Sequence, residues 1–282
     1  MVIRRIFAIP VPARALTAPL LAAALALVLL APAVARAAAG GASTGTNGTT
    51  PNVEEAVEEK EEKEEKEPPP PPPHLLLFHG GSFLYDDPSF EPETVDRARA
   101  AGFVPHYVTY PLGNMPAAVL AARAEARRLR LKFGRDRVYA YGSSAGGTLA
   151  ALLAGDDLIA AAVAKAPVSD LVGWEWPLGA YGPEYFSAVA LGPAARYRLS
   201  PLRRPQRTPL LVVQGRADQI VPAAMNEAFA AKFKRVHLWQ VAGGHTTERT
   251  RPWLIEDAMG WLSRVAQRQW VAAHRPVKVV DR

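Results

Sequence analysis

Ser144 lies in Gly142-Ser143-Ser144-Ala145-Gly146, a G-x-S-x-G arrangement between an apolar run, Arg137–Tyr141, and a helix-forming run from about Ala145 to Ala154. A chain that turns from strand to helix around one residue needs small neighbours on both sides. Such a turn lifts the serine hydroxyl above a sheet and beside a helix N-terminus. There it can attack an acyl carbon once a base removes its proton. Two loops can supply that base and its partner. Asp218 follows the run Pro209–Val213, in Gln214-Gly215-Arg216-Ala217-Asp218. His245 follows Val236–Val241, in Gly243-Gly244-His245. Open parallel sheets carry their sites just past the C-terminal ends of strands. Serine, aspartate and histidine in this order are the nucleophile, orienting acid and general base of an acyl-transfer triad. Asp170 follows another apolar run, Ala160–Ala166, and is the competing place for the acid.

A fourth segment, His79-Gly80-Gly81-Ser82-Phe83, follows the run Leu75–Phe78. Its glycines let backbone N–H groups turn toward a substrate oxygen, as a developing oxyanion requires. His79 reads as a brace for that loop, not as a second base. The six histidines show no metal-ligand spacing, and the chemistry needs no metal or organic cofactor.

These segments need a frame. From His74 onward, short apolar runs alternate with helical stretches. Strands are expected at Leu75–Phe78, Phe103–Tyr110, Arg137–Tyr141, Ala160–Ala166, Pro209–Val213 and Val236–Val241. Helices are expected at Pro116–Lys132, 145–154, about Pro222 to Phe233, and Trp253–Gln267. The alternation predicts an α/β fold, with a mostly parallel sheet of about six strands covered by helices on both faces. Residues 171–207 interrupt it with Trp174, Trp176, Tyr181, Tyr185, Phe186 and Tyr197. They read as an insertion of loops and short helices. Trp174, Trp176 and Tyr181 are candidate flat walls of a substrate pocket; the alternative is that these aromatics pack the insertion onto the sheet.

Residues 74–270 resemble an α/β-hydrolase. The His-Gly-Gly start is similar to the esterase and lipase branch of hormone-sensitive-lipase-like, feruloyl and acetyl-xylan esterases. The resemblance implies that Ser144, Asp218 and His245 are the triad. It implies that the backbone N–H groups of Gly81, Ser82 and Ala145 form the oxyanion hole. The branch usually has glycine where Ser82 stands. It also has two strands ahead of the one ending at His79, where this chain has charged and proline runs that cannot be strands. The sheet is therefore expected to be trimmed at its N-terminal edge. The strand Phe103–Tyr110, with Pro105 inside it, should then be an edge strand. The expected activity is hydrolysis of carboxylic esters of short acyl or small aryl groups. A peptidase similar to prolyl oligopeptidase catalytic domains shares the triad and fold. Those usually carry a large N-terminal domain, and nothing before His74 has the composition for one. A catalytically silent hydrolase fold serving as a surface binding module is the third reading.

The remaining segments bear on location. Residues 1–38 combine Arg4, Arg5 and Arg14 with an uncharged Leu/Ala stretch, Ala15 to Ala35, and small-x-small sites at Ala33-Val34-Ala35 and Ala35-Arg36-Ala37. They read as a cleaved signal peptide or an uncleaved membrane anchor. Either places the globular part outside the cytoplasm: secreted, periplasmic or at the cell surface. Residues 39–73 form a low-complexity linker. A Gly/Ser/Thr stretch is followed by nine glutamates and three lysines over 54–67, then six prolines. The domain is expected over 74–274, with a tail at 275–282. The chain has no cysteine, which excludes disulfides, thiolate metal sites and a cysteine nucleophile. Its formal charge of +6 is scattered and not clustered with aromatics, so nucleic acid is not an expected partner. The expected partner is a small-molecule ester; the oligomeric state is open.

Overall fold

The computed structural model describes residues 71–87, 90–174, 182–247 and 251–273. All belong to the unit Glu65–Arg282. Six strands form one sheet: β1 (His74–Phe78), β2 (Val104–Tyr107), β3 (Val138–Ser143), β4 (Ala161–Lys165), β5 (Leu210–Gly215) and β6 (Val236–Val241). Their order is β2-β1-β3-β4-β5-β6, and all five pairings are parallel. This is the α/β-hydrolase arrangement, with β2 at the edge. Pro105 stands opposite Leu75 there, where its missing N–H breaks no second ladder. β2 is shorter than the apolar run suggests, although the Val108 N–H still reaches the Leu77 carbonyl at 3.0 Å.

Side-chain alternation sorts the strands between two helical layers. Leu76, Phe78, Val138, Ala140, Ala162, Ala164, Leu210 and Val212 face one layer. It contains α2 (Met115–Phe133), α3 (Ala145–Gly155) and α6 (Ala223–Lys232). Leu75, Leu77, Tyr139, Tyr141, Ala161, Val163, Leu211 and Val213 face the other, built from α1 (Phe90–Ala100) and α7 (Trp253–Ala273). Both layers are built from buried apolar side chains, and each fully buried leucine contributes on the order of 2 kcal/mol. The apolar residues of α7 that meet the sheet, Leu254, Ile255, Ala258, Met259, Leu262 and Val265, repeat with helical spacing.

Helix α1 is absent from the sequence reading. Its apolar face is thin, and Pro92 and its glutamates resemble a loop. A parallel β1–β2 pair nevertheless requires a crossover, and α1 supplies it. Helix α2 begins where expected. The Asn114 side chain accepts the Ala117 N–H at 3.0 Å, Pro116 opens the first turn, and Gly134 ends the helix at φ 84°. The insertion contains α4 (Gly182–Ala188) and α5 (Pro193–Leu199). No helix of the described residues is long and apolar enough to cross a membrane. The segment read as a signal peptide or anchor, most of the linker and the tail lie outside the described residues.

Candidate active site

Because every strand runs the same way, the loops after β1, β3, β5 and β6 meet along one edge of the sheet. Between β3 and α3 the chain turns at Ser144, whose φ is 54°. A non-glycine residue held there costs about 1–3 kcal/mol and persists only where its surroundings fix it. Here they do. The Ser144 N–H donates to the Lys165 carbonyl at 2.8 Å, and the Ser144 carbonyl accepts the Thr148 N–H at 2.9 Å. The flanking glycines are dictated by contact. A Cβ on Gly142 would lie 2.2 Å from the Gly146 carbonyl oxygen, and one on Gly146 would lie 2.1 Å from that of Phe78. The G-x-S-x-G pattern is thus the imprint of α3 pressed onto β1 and β3.

The acid and base loops are pressed together just as closely. The Arg216 N–H donates to the Val241 carbonyl and the Ala217 N–H to that of Gly243, both at 2.9 Å. This pairing places Asp218 Oδ2 2.8 Å from His245 Nδ1, while His245 Nε2 lies 2.9 Å from Ser144 Oγ. Asp218 Oδ1 accepts the N–H groups of Ile220 and Val221, each at 2.9 Å. Burial alone would raise the Asp218 carboxyl. The hydrogen bond and charge of His245, with the two N–H donors, outweigh it and hold the group below the usual carboxylate range. An ionised Asp218 fixes the proton of a neutral His245 on Nδ1. Nε2 is then free to accept the serine proton.

Four residues near this chain carry no signal in the sequence reading. Gln214, the first residue after the apolar run Pro209–Val213, is fully buried at the end of β5. Its Nε2 donates to Asp218 Oδ2 at 3.0 Å. Asn226 on α6 donates to Gln214 Oε1 at 2.7 Å and to the Pro167 carbonyl at 3.0 Å. A buried amide needs such partners, so a lone glutamine closing a strand was the available clue. Lys165, buried at the end of β4, donates from its ammonium to the His245 carbonyl. Tyr110 supports the loop after β1 and is considered below.

That loop follows unusual backbone angles: Gly81, Ser82 and Phe83 have φ of 95°, 56° and 59°. A Cβ on Gly81 would fall 2.0 Å from the Tyr85 carbonyl oxygen, so only glycine fits. Ser82 adopts the left-handed region at a steric cost, which is reason enough for glycine to be usual there. A Cβ on Gly80 would stand 3.6 Å from Ser144 Cβ, so the loop lies beside the serine. Ala145 opens α3, in the turn whose N–H groups have no partner within the helix. The His79 ring is buried and stacks on Tyr110 with centroids 4.3 Å apart. It lies in the loop's framework and away from Ser144 Oγ, whose basic partner is His245.

The other expectations fall elsewhere. Asp170 accepts the Val172 N–H at 3.1 Å and pairs with Arg203 at 3.4 Å; among the described residues its partners do not include His245. Trp174 is buried, and its indole N–H donates to the Ile220 carbonyl at 2.8 Å. Its ring meets Tyr185 edge-on at 5.3 Å. It therefore packs behind the acid loop, as the alternative reading of these aromatics has it, and its buried indole N–H finds the partner it needs there. Trp176 and Tyr181 lie outside the described residues.

The sequence model of the prolyl oligopeptidase family matches residues 118–269, more than half of the chain. Comparison with curated proteins gives no significant match. Several solved structures share the fold. An acetyl ester-xyloside bifunctional hydrolase from Caldicellulosiruptor lactoaceticus is 18% identical, with a TM-score of 0.57 over 71% of this chain and 82% of that one. A propionate-bound thermophilic esterase from the planctomycete Thermogutta terrifontis is 21% identical, with a TM-score of 0.55 over 74% and 88%. A thermostable carboxylesterase cloned from a metagenomic library is 22% identical, with a TM-score of 0.58 over 69% and 80%.

Proposed function

This chain belongs to the prolyl oligopeptidase family, and from that premise we propose that it is a serine hydrolase that cleaves carboxylic esters through an acyl-enzyme. The observation that carries the proposal is the unbroken hydrogen-bond chain from Ser144 Oγ through His245 to Asp218. In the proposed reaction His245 Nε2 takes the Ser144 proton as Oγ bonds to the acyl carbon. The carbonyl π electrons move onto oxygen, and the N–H groups of Gly81, Ser82 and Ala145 receive that oxyanion. Collapse of the intermediate expels the alkoxide, which takes the proton from His245 and leaves as the alcohol. Water, deprotonated by the same histidine, then releases the acid and restores the serine. Asp218 stays ionised throughout and balances the transient imidazolium.

Esters are favoured over peptides by the fold relatives, which are an esterase, a carboxylesterase and an acetyl ester hydrolase. The propionate held by one of them supports a short acyl group. The family match favours a second reading, a peptidase built on the same triad. We further propose export, on the basic start and uncharged Leu/Ala stretch of residues 1–38.

The test is a panel of nitrophenyl esters of rising acyl length, emulsified triglyceride and prolyl or alanyl peptide amides, with a fluorophosphonate to label the nucleophile. Short esters should be hydrolysed fastest. Ser144→Ala should lose labelling and at least about 10⁴-fold in turnover. Faster cleavage of the amides would install the peptidase reading. Stoichiometric labelling of the Ala variant would dismiss Ser144.

A further inference from the structure

The loop His79–Phe83 is held entirely from its carbonyl side. The Tyr110 hydroxyl lies 2.8 Å from the His79 carbonyl oxygen and 3.1 Å from that of Gly80. The Gly80 carbonyl also accepts His79 Nδ1–H at 2.7 Å. The Gly81 carbonyl accepts the N–H groups of Leu84 and Tyr85, both at 2.9 Å. The Ser82 carbonyl accepts the Tyr185 hydroxyl at 3.2 Å, and that of Phe83 accepts the Gly113 N–H at 2.7 Å. Five successive carbonyls are thus anchored. In a trans peptide the N–H points opposite the carbonyl of the same plane. Anchoring the Gly80 carbonyl therefore aims the Gly81 N–H, and anchoring the Gly81 carbonyl aims the Ser82 N–H. Among the described residues, neither N–H has a hydrogen-bond partner of its own.

Of these anchors, Tyr110 is the one brought from a distant part of the chain against two adjacent peptides. It reaches the loop from beyond β2, with its ring flat against His79. Its burial pushes the phenol well above the ordinary tyrosine range, so the hydroxyl keeps its proton and remains a donor. Besides His79 Nδ1 at 3.3 Å, the hydroxyl's partners are backbone carbonyls of a glycine loop, which on its own would sample many orientations.

We propose that Tyr110 is a positioning residue for the oxyanion hole: its one hydroxyl proton, shared between the His79 and Gly80 carbonyls, acts with His79 Nδ1 to fix the Gly80 carbonyl and with it the direction of the Gly81 N–H. The inference rests on the hydrolase reading above and assigns a residue that the triad does not contain. It acts when charge develops on the acyl oxygen, so its removal should weaken the transition state and leave ground-state binding alone.

Tyr110→Phe keeps the ring and deletes the hydroxyl. On a short nitrophenyl ester we expect kcat to fall about tenfold, less than the loss of an oxyanion donor itself, with KM within about twofold. An alkyl trifluoromethyl ketone adds to Ser144 Oγ and places a hemiketal oxygen in the hole. Its inhibition constant should rise by the same factor as kcat/KM falls. Inhibition by the product carboxylic acid should not change. Unaltered kcat and ketone affinity would overturn the inference while the hydrolase reading stands. So would equal weakening of ketone and product, which marks a general loss of structure. A wild-type protein that neither hydrolyses the ester nor takes up a fluorophosphonate would overturn both.

Discussion

Asp218 and Asp170 show how position along a sheet separates two residues that look alike in sequence. Both follow apolar runs, and both are largely buried. Both carboxylates accept hydrogen bonds, but only Asp218 accepts one from His245: it holds Gln214 and His245 on one oxygen and two backbone N–H groups on the other, whereas Asp170 holds Val172, Ser200 and Arg203. Asp218→Asn should remove the acceptor that selects the His245 tautomer, and turnover should fall by about 10³–10⁴. Asp170→Asn should leave turnover within about threefold, since Val172, Ser200 and Arg203, its partners, lie outside that hydrogen-bond chain. Steady-state kinetics on the two variants, with circular dichroism to check the fold, decide the matter. A crippled Asp170 variant beside a mild Asp218 variant would reverse the assignment. Ser144, Asp218 and His245 could be picked from the sequence because each ends an apolar run and carries a marker of its own. Gln214, Asn226 and Lys165 could not. Their roles come from partners that the chain order does not show: Asn226 meets Gln214 from 12 residues away and Lys165 meets His245 from 80, while Gln214 reaches Asp218 only because the loop four residues on folds back over it.

At the scale of elements, the central strands were legible because burial on both faces makes them continuous apolar runs; the edge strand β6 also matches its expected limits of Val236–Val241, although most of it is only partly buried. Helix α1 was not, because its sequence has little of the apolar stripe that marks α7. The pairing of β1 with β2 also holds a titratable contact that sequence alone does not reveal. His74 Nδ1 lies 2.9 Å from His106 Nε2, and the His74 ring stacks on Phe133 at 3.6 Å. Burial, then the neighbouring His106, Arg137 and Lys132, lowers the His74 pKa from 6.5 to about 4. His106 is lowered as well, by burial, with Glu125 opposing and Arg128 and Lys132 adding to the effect. Between those limits the unfolded chain binds protons that the folded pair refuses. Stability should therefore fall as pH drops from 6.5 toward about 4 and be fully present above 6.5. Both rings are partly exposed, so the effect is modest, on the order of 2 °C in Tm. Tm measured across the window from pH 7 to 5, above most carboxylate titration, should show a slope that His74→Gln flattens. An identical slope in that variant would exclude the pair as its source.

At the scale of the whole molecule, the question is where the catalytic fold begins. Composition alone puts the boundary at His74, just after the prolines. The ladder puts it earlier. The Pro73 carbonyl accepts the Val104 N–H at 2.8 Å, closing the β1–β2 pair below His74. Pro71, Pro72 and Pro73 line a groove with Ala101, Gly102 and Trp270, beside the Arg137 guanidinium that lies 5.4 Å over the Trp270 ring. The last prolines of the run thus belong to the frame that carries β1, and β1 leads directly into the loop beside Ser144. Two truncations separate these boundaries. Removing residues 1–70 should leave Tm within about 2 °C and turnover within about twofold, since both apolar layers lie within residues 75–265. Removing residues 1–73 should in addition cost about 1–2 kcal/mol, from the lost acceptor of a ladder hydrogen bond and the lost cover over Trp270. That loss corresponds to about 3–8 °C in Tm for a domain of this size. Turnover below the transition should be nearly unchanged, because the missing contacts lie at the opposite end of β1 from His79. Calorimetry and nitrophenyl ester kinetics on the two proteins provide the comparison. Equal Tm values would return the boundary to His74. Aggregation of the longer protein would mean that residues before Pro71 contribute to the fold.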